Sequence, residues 1–239
     1  MIEDIGLALV VAVAGCVQWL TGMGFALVAA PALVLLLGPG DGVLLANCAA
    51  GVVSLAGLAG GWRRVRPRDM VPFVAAAVCT VPVGTWTAAR LPEPVLMVVF
   101  GSLVCVAVTL VARGMRMPGL GGPGGALVAG GAGGFMNAAA GVGGPPFSLY
   151  AVNAGWPMRE FVPNAQFYGV VVNVVSVAAG GFPRLGVRAW SVAGAALFTG
   201  AVVGAVLTGR VPDRGMRRLV LGLALVGGVV AVGKGVAGL

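Results

Sequence analysis

The sequence of 239 residues contains no histidine, and only 9% of its residues are charged. The absence of histidine excludes Ser-His-Asp and Cys-His catalysis, haem ligation by histidine and the commonest zinc sites. A soluble globular chain has about 25% charged residues, so this chain has too few to cover a surface in water. Apolar residues make up 59% of it, and the mean hydropathy is +1.03. The composition predicts an integral membrane protein, embedded along nearly its whole length.

Thiols, buried acids and nucleic-acid signals are also scarce. The four cysteines lie far apart in apolar stretches without a Cys-x-x-Cys pair, which is typical of small packing residues. None of the seven acidic residues lies deep in an apolar stretch, so a two-aspartate intramembrane protease is excluded. The net charge of +8 comes from short basic clusters between apolar stretches, as the positive-inside effect explains. We therefore predict no enzyme activity, no metal, no cofactor and no nucleic-acid partner.

Eight apolar stretches are long enough to be membrane segments, but two of them are too long. A simple spanning helix needs about 20 residues, or about 30 Å of hydrocarbon. Residues 5–37 and 126–157 would each form a straight helix of about 48 Å, and glycines interrupt both, at Thr21–Gly24 and at Gly141–Gly144. We expect two half-length helices in each, joined by a break at membrane depth. The six simple spans are residues 43–62, 70–89, 93–112, 162–182, 187–209 and 215–237.

The two halves of the chain are related to one another. Residues recur at a nearly constant offset over about eighty positions, which predicts two copies of one unit, residues 1–112 and 126–239, with a Gly-rich linker at 113–125. Internal repeats with broken helices are typical of secondary transporters. The matched pairs are Gly15/Gly134, Gln18/Asn137, Gly22/Gly141 and Gly24/Gly143 at an offset of 119, Gly84/Gly204 and Arg90/Arg210 at 120, and Asn47/Asn164 at 117.

Two arrangements of the copies are open. If all eight stretches cross the membrane once, the basic residues divide nine to six between the two sides. If each long segment is a re-entrant hairpin, three crossings remain in each copy, the copies are inverted, and the division becomes eleven to four. The positive-inside rule favours the second arrangement, with both termini outside the cytoplasm. The predicted fold is an all-α polytopic membrane protein of two repeats, each a broken or re-entrant segment plus three transmembrane helices.

The second break has the features of an anion site. Glycines at 141, 143 and 144 free backbone N–H groups from the helical ladder, and Pro145 and Pro146 suit the first turn of a new helix. The positive end of that helix points at the break, and amides without side chains over them can form a nest for an anion. Thr21–Gly24 and Phe25 give a less glycine-rich version in the first copy. We interpret Gly130, Gly131, Gly133 and Gly134 as packing glycines.

Amide side chains inside the apolar stretches are the second group of candidates, because polar groups in lipid are costly without partners. The matched pairs Gln18/Asn137 and Asn47/Asn164 would offer amide donors to an oxyanion from symmetric directions. We interpret Ser54, Asn173 and Ser176 as helix-packing residues. The complete set of predicted substrate-binding residues is Gln18, Thr21, Gly22, Gly24, Phe25, Asn47, Asn137, Gly141, Gly143, Gly144, Pro145, Asn164 and Gln166.

These elements resemble a known family of bacterial permeases, the TauE/SafE sulfite exporters. The likeness lies in Gly-Met-Gly-Phe-Ala-Leu-Val-Ala-Ala-Pro-Ala-Leu at 22–33, in Gly-Val-Gly-Gly-Pro-Pro-Phe-Ser-Leu-Tyr at 141–150, and in the spans before Arg90 and Arg210. The resemblance covers nearly the whole chain and implies transport of small sulfur-containing anions, such as sulfite and organosulfonates. The first copy has Phe25-Ala26 where the second has Gly144-Pro145, so we expect the halves to contribute unequally.

The sequence thus predicts a secondary permease of a small sulfur-containing anion, such as sulfite or sulfoacetate, in the inner membrane of a bacterium. The anion would bind at the helix breaks near the membrane midplane, with alternating access between the two repeats. Its partners are the small anion and the lipid bilayer, and both a monomer and a homodimer remain open. The alternative is a membrane-embedded sulfur-transfer or thiol-dependent protein that works through lone cysteines.

Overall fold

The structure, a computed structural model, describes residues 2–21, 24–113, 121–207 and 213–239. This part of the chain is helical, as predicted, with short turns between the helices. A 3-10 turn at Trp62–Arg64 precedes the fourth helix. The helices are α1 (Ile2–Thr21), α2 (Phe25–Leu37), α3 (Pro39–Ala59), α4 (Pro67–Arg90), α5 (Glu93–Arg113), α6 (Pro123–Ala140), α7 (Gly144–Asn153), α8 (Met158–Gly180), α9 (Val187–Leu207) and α10 (Asp213–Ala237).

The predicted simple spans are confirmed as helices. Five helices, α3, α4, α5, α8 and α9, are long and apolar enough to cross a membrane. The sixth predicted span, residues 215–237, lies within α10. Proline lies in the first turn of α3, α4, α6 and α7, where its missing N–H costs nothing. The chain is thus an all-α polytopic membrane protein.

Both long segments are broken where glycine interrupts them, but not into equal halves. Helices α1 and α2 have 20 and 13 residues, and α6 and α7 have 18 and 10. At about 1.5 Å per residue, the first piece of each pair is close to the thickness of a bilayer and the second is much shorter. The expectation of two half-length helices is therefore wrong. In the second segment, the break lies past the middle of the segment because α6 stays helical through Ala140 and ends only at Gly141.

Each broken segment doubles back on itself. A Cβ placed on Gly6, near the start of α1, would lie 3.7 Å from Leu36 in the last turn of α2. In the second segment, Tyr150 in the last half of α7 lines one cavity with Gly122 and Pro123 at the start of α6. Each pair of helices is therefore a hairpin that returns to the end of the molecule from which it starts.

Contacts between the connecting loops fit the hairpin arrangement. The Arg66 guanidinium lies 3.2 Å from the Glu160 carboxylate, and the backbone N–H of Arg184 donates to Asp41 Oδ1 at 2.9 Å. If all eight stretches crossed the membrane, residues 66 and 160 would lie on opposite sides, and so would residues 41 and 184. With hairpins, each pair lies on one side.

Helices of one half pack on helices of the other. The first helix of each half lies along the fourth helix of the other half, α1 on α9 and α6 on α4. Helices α3 and α8 are antiparallel, since Gly51 lies against Asn173 and Gly180 lies against Leu44. Helices α5 and α10 also pack together. The hairpins that carry the breaks are thus held by the opposite half of the chain.

Glycine permits several close helix crossings. A Cβ on Gly84 of α4 would lie 2.6 Å from the carbonyl oxygen of Phe135, and one on Gly204 of α9 would lie 2.9 Å from that of Cys16. A Cβ on Gly130 or Gly134 of α6 would meet the backbone of Phe73 or Ala77 within 2.7 Å. The packing interpretation of these α6 glycines is confirmed, and small residues at such crossings are a property of membrane helices.

The short helix α7 is surrounded by aromatic rings. The Phe147 ring lies 5.1 Å from those of Phe73 and Tyr168 and 6.0 Å from those of Trp156 and Phe161, between ring centroids. The offset of 119 places Val28 at the position of Phe147 and Pro31 at that of Tyr150. The ring cluster around Phe147 therefore has no counterpart at the matching positions of the first hairpin, which are Val28 and Pro31.

Candidate functional site

The second break begins with a helix C-terminus that needs glycine. Gly141 has a φ of +66°, in the left-handed region, and its N–H donates to the Asn137 carbonyl at 2.8 Å. The next N–H, from Val142, reaches the Met136 carbonyl at 3.4 Å. The bond from Gly141 to Asn137, with glycine in the left-handed region, is the αL arrangement that ends many helices. The first two N–H groups of the break are thus used to finish α6.

The third N–H of the break is bound by a side chain. The Gly143 N–H donates to Asn137 Oδ1 at 3.2 Å. Gly143 must be glycine here, because a Cβ would lie 2.8 Å from both Asn137 Cβ and the Gly133 carbonyl oxygen. The next two helix positions after Gly144 are prolines, which have no N–H. Three N–H groups of the predicted anion nest, those of Gly141, Val142 and Gly143, therefore donate within the chain.

Asn137 joins the break to two other helices. Its Nδ2 lies 3.2 Å from Asn47 Oδ1 on α3, and 3.1 Å and 3.0 Å from Asn173 Oδ1 and Ser176 Oγ on α8. In return, Asn47 Nδ2 donates to the Asn137 carbonyl at 3.4 Å. All four side chains are at most 5% exposed. The result is a buried and uncharged polar cluster, in which two of the predicted site residues, Asn47 and Asn137, meet.

The first break repeats this pattern with different residues. Gln18 Oε1 accepts the N–H of Phe25 at 3.1 Å, and Gln18 Nε2 donates to Ser54 Oγ at 3.0 Å. Ser54 and Asn173 are 119 residues apart, as are Gln18 and Asn137. In each half, an amide side chain on the first hairpin helix binds an N–H at the start of the second and a polar group on the next long helix.

The two breaks differ in what stands at the start of the short helix. In the first half, the short helix starts with Phe25, which follows Gly24 and is fully buried. In the second half, the short helix starts with Gly144 and Pro145. Gly22 and the Thr21 side chain, both predicted to bind substrate, lie outside the described residues. The short helix of the first break thus starts with a buried aromatic residue, and that of the second starts with glycine and proline.

Two other predicted residues lie apart from the second break. Asn164 accepts the Arg66 N–H at 2.9 Å, and its Nδ2 donates to the Glu160 carbonyl at 2.8 Å. It therefore anchors the start of α4. Gln166 lies against Gly57 on α3. Helix α3 begins at Pro39 and α8 begins at Met158, 119 residues later. At this offset Asn47 matches Gln166, so the predicted pairing of Asn47 with Asn164 is wrong.

Three residues of the polar clusters were interpreted from the sequence as helix packing alone. Ser54, Asn173 and Ser176 do form hydrogen bonds between helices, and their partners are the amides of the two breaks. Residues 54 and 173 share the offset of the breaks, so the sequence did contain a signal for them. For Ser176 no such signal exists, since residue 57 is a glycine.

The described residues offer little to other kinds of chemistry. They contain no group of three or more histidine, cysteine or acidic residues that could hold a metal ion. Cys16, Cys48, Cys79 and Cys105 are all free thiols. Hairpins, a buried polar cluster and spanning helices define a polytopic membrane protein with an internal polar site.

The chain belongs to the sulfite exporter TauE/SafE family, whose sequence pattern matches residues 7–231. Neither the curated proteins nor the solved structures gave a match. The match covers nearly the whole chain and confirms the resemblance drawn from residues 22–33 and 141–150. Members of this family are membrane transporters of sulfur-containing anions such as sulfite, so the protein is a transporter with a small anionic substrate and a place in a membrane.

Proposed function

We propose that the protein is a secondary transporter that carries sulfite or a small organosulfonate such as sulfoacetate across a bacterial inner membrane, with the anion bound at the second helix break. The observation that carries this proposal is the buried α6–α7 break, where backbone N–H groups, the N-terminus of α7 and the amides of Asn47 and Asn137 converge without a fixed charge. The residues of the first break and Gln166 contribute less to the site.

The chemistry of the break suits an anion that must leave again. The N-terminus of a helix carries the equivalent of about half a positive charge, and N–H donors without side chains over them bind oxyanions. A full positive charge at membrane depth would be costly and would hold the substrate tightly. A neutral site of dipoles and amides avoids both effects.

The packing of the helices supports alternating access between two inverted repeats, residues 1–112 and 126–239 around the linker 113–125. Antiparallel packing of α3 on α8 is what inversion of the copies requires, and each hairpin lies on the fourth helix of the other repeat. In transporters of this kind, one repeat or bundle moves against the other around a fixed site.

The distribution of basic residues supports the orientation. With hairpins, eleven of the fifteen basic residues fall on one side, which the positive-inside rule assigns to the cytoplasm. Both termini then lie outside it. Export of an anion is favoured by a negative-inside potential, by about 2.3 kcal/mol per charge per 100 mV, so uniport suffices. The described spans bring no carboxylate or histidine into the polar cluster to relay a proton.

Flux into proteoliposomes tests the proposal directly. The wild-type chain should transport labelled sulfite or sulfoacetate from a panel of sulfur oxyanions, and a Gly143→Val/Gly144→Val variant should lose the flux. The matched control is Gly194→Val on α9, where a Cβ meets nothing within 4 Å. Unchanged flux in the folded double variant would falsify the assigned site. A wild-type chain that moves none of these anions would overturn the function.

A further inference from the structure

We propose that, in the empty transporter, the Asn137 carboxamide oxygen occupies the place of a substrate oxygen, so that the arriving anion must displace it from the Gly143 N–H. Asn137 is then an intramolecular competitor that sets which ligands the break accepts. This inference rests on the proposed function, because it assumes that the second break is the substrate site.

The geometry of the break singles out one N–H as exchangeable. The N–H groups of Gly141 and Val142 donate to backbone carbonyls of α6, so releasing them would unwind the end of that helix. The Gly143 N–H alone donates to a side chain, at 3.2 Å. A side chain can turn away while the backbone stays in place.

The neighbours of Asn137 can keep its Nδ2 hydrogen-bonded while its Oδ1 leaves the Gly143 N–H. A carboxamide nitrogen has two hydrogens, and three acceptors lie within 3.2 Å of it, namely Asn47 Oδ1, Asn173 Oδ1 and Ser176 Oγ. Asn173 is itself fixed by its Nδ2, which donates to the Gly169 carbonyl at 2.8 Å. Because there are more acceptors than hydrogens, the amide can turn and still keep partners on α3 and α8.

A neutral competitor gives the break a preference for charged ligands. Hydrogen bonds to an ionised acceptor are roughly twice as strong as bonds between neutral groups. A sulfite or sulfonate oxygen can therefore replace a carboxamide oxygen, whereas an uncharged ligand gains nothing by the exchange. Aspartate at position 137 would reverse this preference, since its carboxylate would be a tethered anion of the same class as the substrate.

The first break makes the same bond without the same consequence. Gln18 Oε1 accepts the Phe25 N–H at 3.1 Å, but the Phe25 side chain is fully buried at that helix start. That helix therefore starts with a large apolar residue, where the second break has Gly144 without a side chain. The inference is therefore limited to Asn137.

Equilibrium binding of labelled sulfite and labelled sulfoacetate to the purified full-length chain tests the inference, at pH 8 so that an introduced carboxyl is ionised. We expect Asn137→Asp to weaken binding at least tenfold. Asn137→Ala, which removes the competing oxygen together with the amide, should weaken binding by much less than tenfold. Asn153→Asp at the other end of α7 is the matched control for added charge and should bind like the wild type. Folding is checked for each variant by size-exclusion profile and melting temperature.

The possible outcomes distinguish failure of this inference from failure of the proposed transport function. Wild-type affinity in Asn137→Asp, or a tenfold loss in a folded Asn137→Ala, would overturn the inference and leave the transporter assignment standing. The second result would show that Asn137 binds the substrate more than it competes with it. If the wild-type chain binds neither anion, the proposed function fails as well. Should Asn137→Asp not fold, the Asn137→Ala measurement alone decides the question.

Discussion

Asn47 and Asn137, ninety residues apart in the chain, are joined by two hydrogen bonds. Asn137 Nδ2 donates to Asn47 Oδ1 at 3.2 Å, and Asn47 Nδ2 donates to the Asn137 carbonyl at 3.4 Å. One residue lies on α3 of the first half and the other on α6 of the second, next to the break. Movement of the second hairpin against the first half must stretch or break this pair, which therefore lies where the two proposed repeats meet.

Asn47→Ala should lower transport more than it lowers stability. Asn137 Nδ2 keeps Asn173 and Ser176 as acceptors, so the net loss is about one buried hydrogen bond, about 0.5–1.5 kcal/mol. We expect a small fall in melting temperature and a fall in sulfite flux of about tenfold, equivalent to about 1.4 kcal/mol. Thr109→Val, which removes an exposed bond within α5, is the control. Wild-type flux in Asn47→Ala would show that the pair is only structural.

The two breaks should respond differently to an added carboxylate. Gln18→Glu and Asn137→Asp each place an acid on an N–H group at the start of a short helix, that of Phe25 and that of Gly143. Because we assign the substrate to the second break, and the first break has the buried Phe25 where the second has Gly144, we expect unequal effects. The loss of sulfite flux should be about tenfold greater for Asn137→Asp than for Gln18→Glu, a difference of about 1.4 kcal/mol. Initial rates in proteoliposomes measure this difference. Equal losses would contradict the unequal roles of the halves.

Much of the fold follows from local chemistry that the sequence displays. Spans need length and apolar residues, and Gly141 with Pro145 and Pro146 ends one helix and begins another through backbone preferences alone. The reversal of each long segment does not follow in this way. It depends on contacts between distant residues, such as Gly6 with Leu36, and only the asymmetry of the basic residues favoured it beforehand.

The candidate site was less predictable than the fold. The sequence identified Asn47, Asn137 and Gln18 because amides in apolar spans need partners, but it could not say which partners they have. Asn164 has the same side chain as Asn47, but its hydrogen bonds are made with the backbone of Arg66 and Glu160. The use of the Gly143 N–H by Asn137 Oδ1 is a matter of hydrogen-bond geometry across six residues, and no spacing rule reveals it.

The aromatic core around α7 should make the second hairpin the stiffer of the two. Phe147 is fully buried among four neighbouring rings, so Phe147→Ala should cost about 3–5 kcal/mol of stability, as for other buried phenylalanines. Val28→Ala at the matching aliphatic position should cost less. Phe198→Ala is the control, because Phe198 is 72% exposed on α9. Thermal unfolding in detergent measures all three, and equal melting temperatures for Phe147→Ala and Val28→Ala would contradict the asymmetry.

Replacing all four cysteines with serine separates transport from thiol chemistry. Cys16, Cys48, Cys79 and Cys105 are free and lie on α1, α3, α4 and α5, and none is hydrogen-bonded to the amides of the breaks in the described structure. A transporter that binds its anion with N–H groups and amides has no use for a thiolate, so the variant should keep sulfite flux within about threefold of the wild type, under 1 kcal/mol. Serine is isosteric enough for these small, partly exposed positions, and the melting temperature verifies the fold. Complete loss of flux in a folded quadruple variant would restore the thiol-dependent alternative, and single reversions to cysteine would then identify the residue responsible.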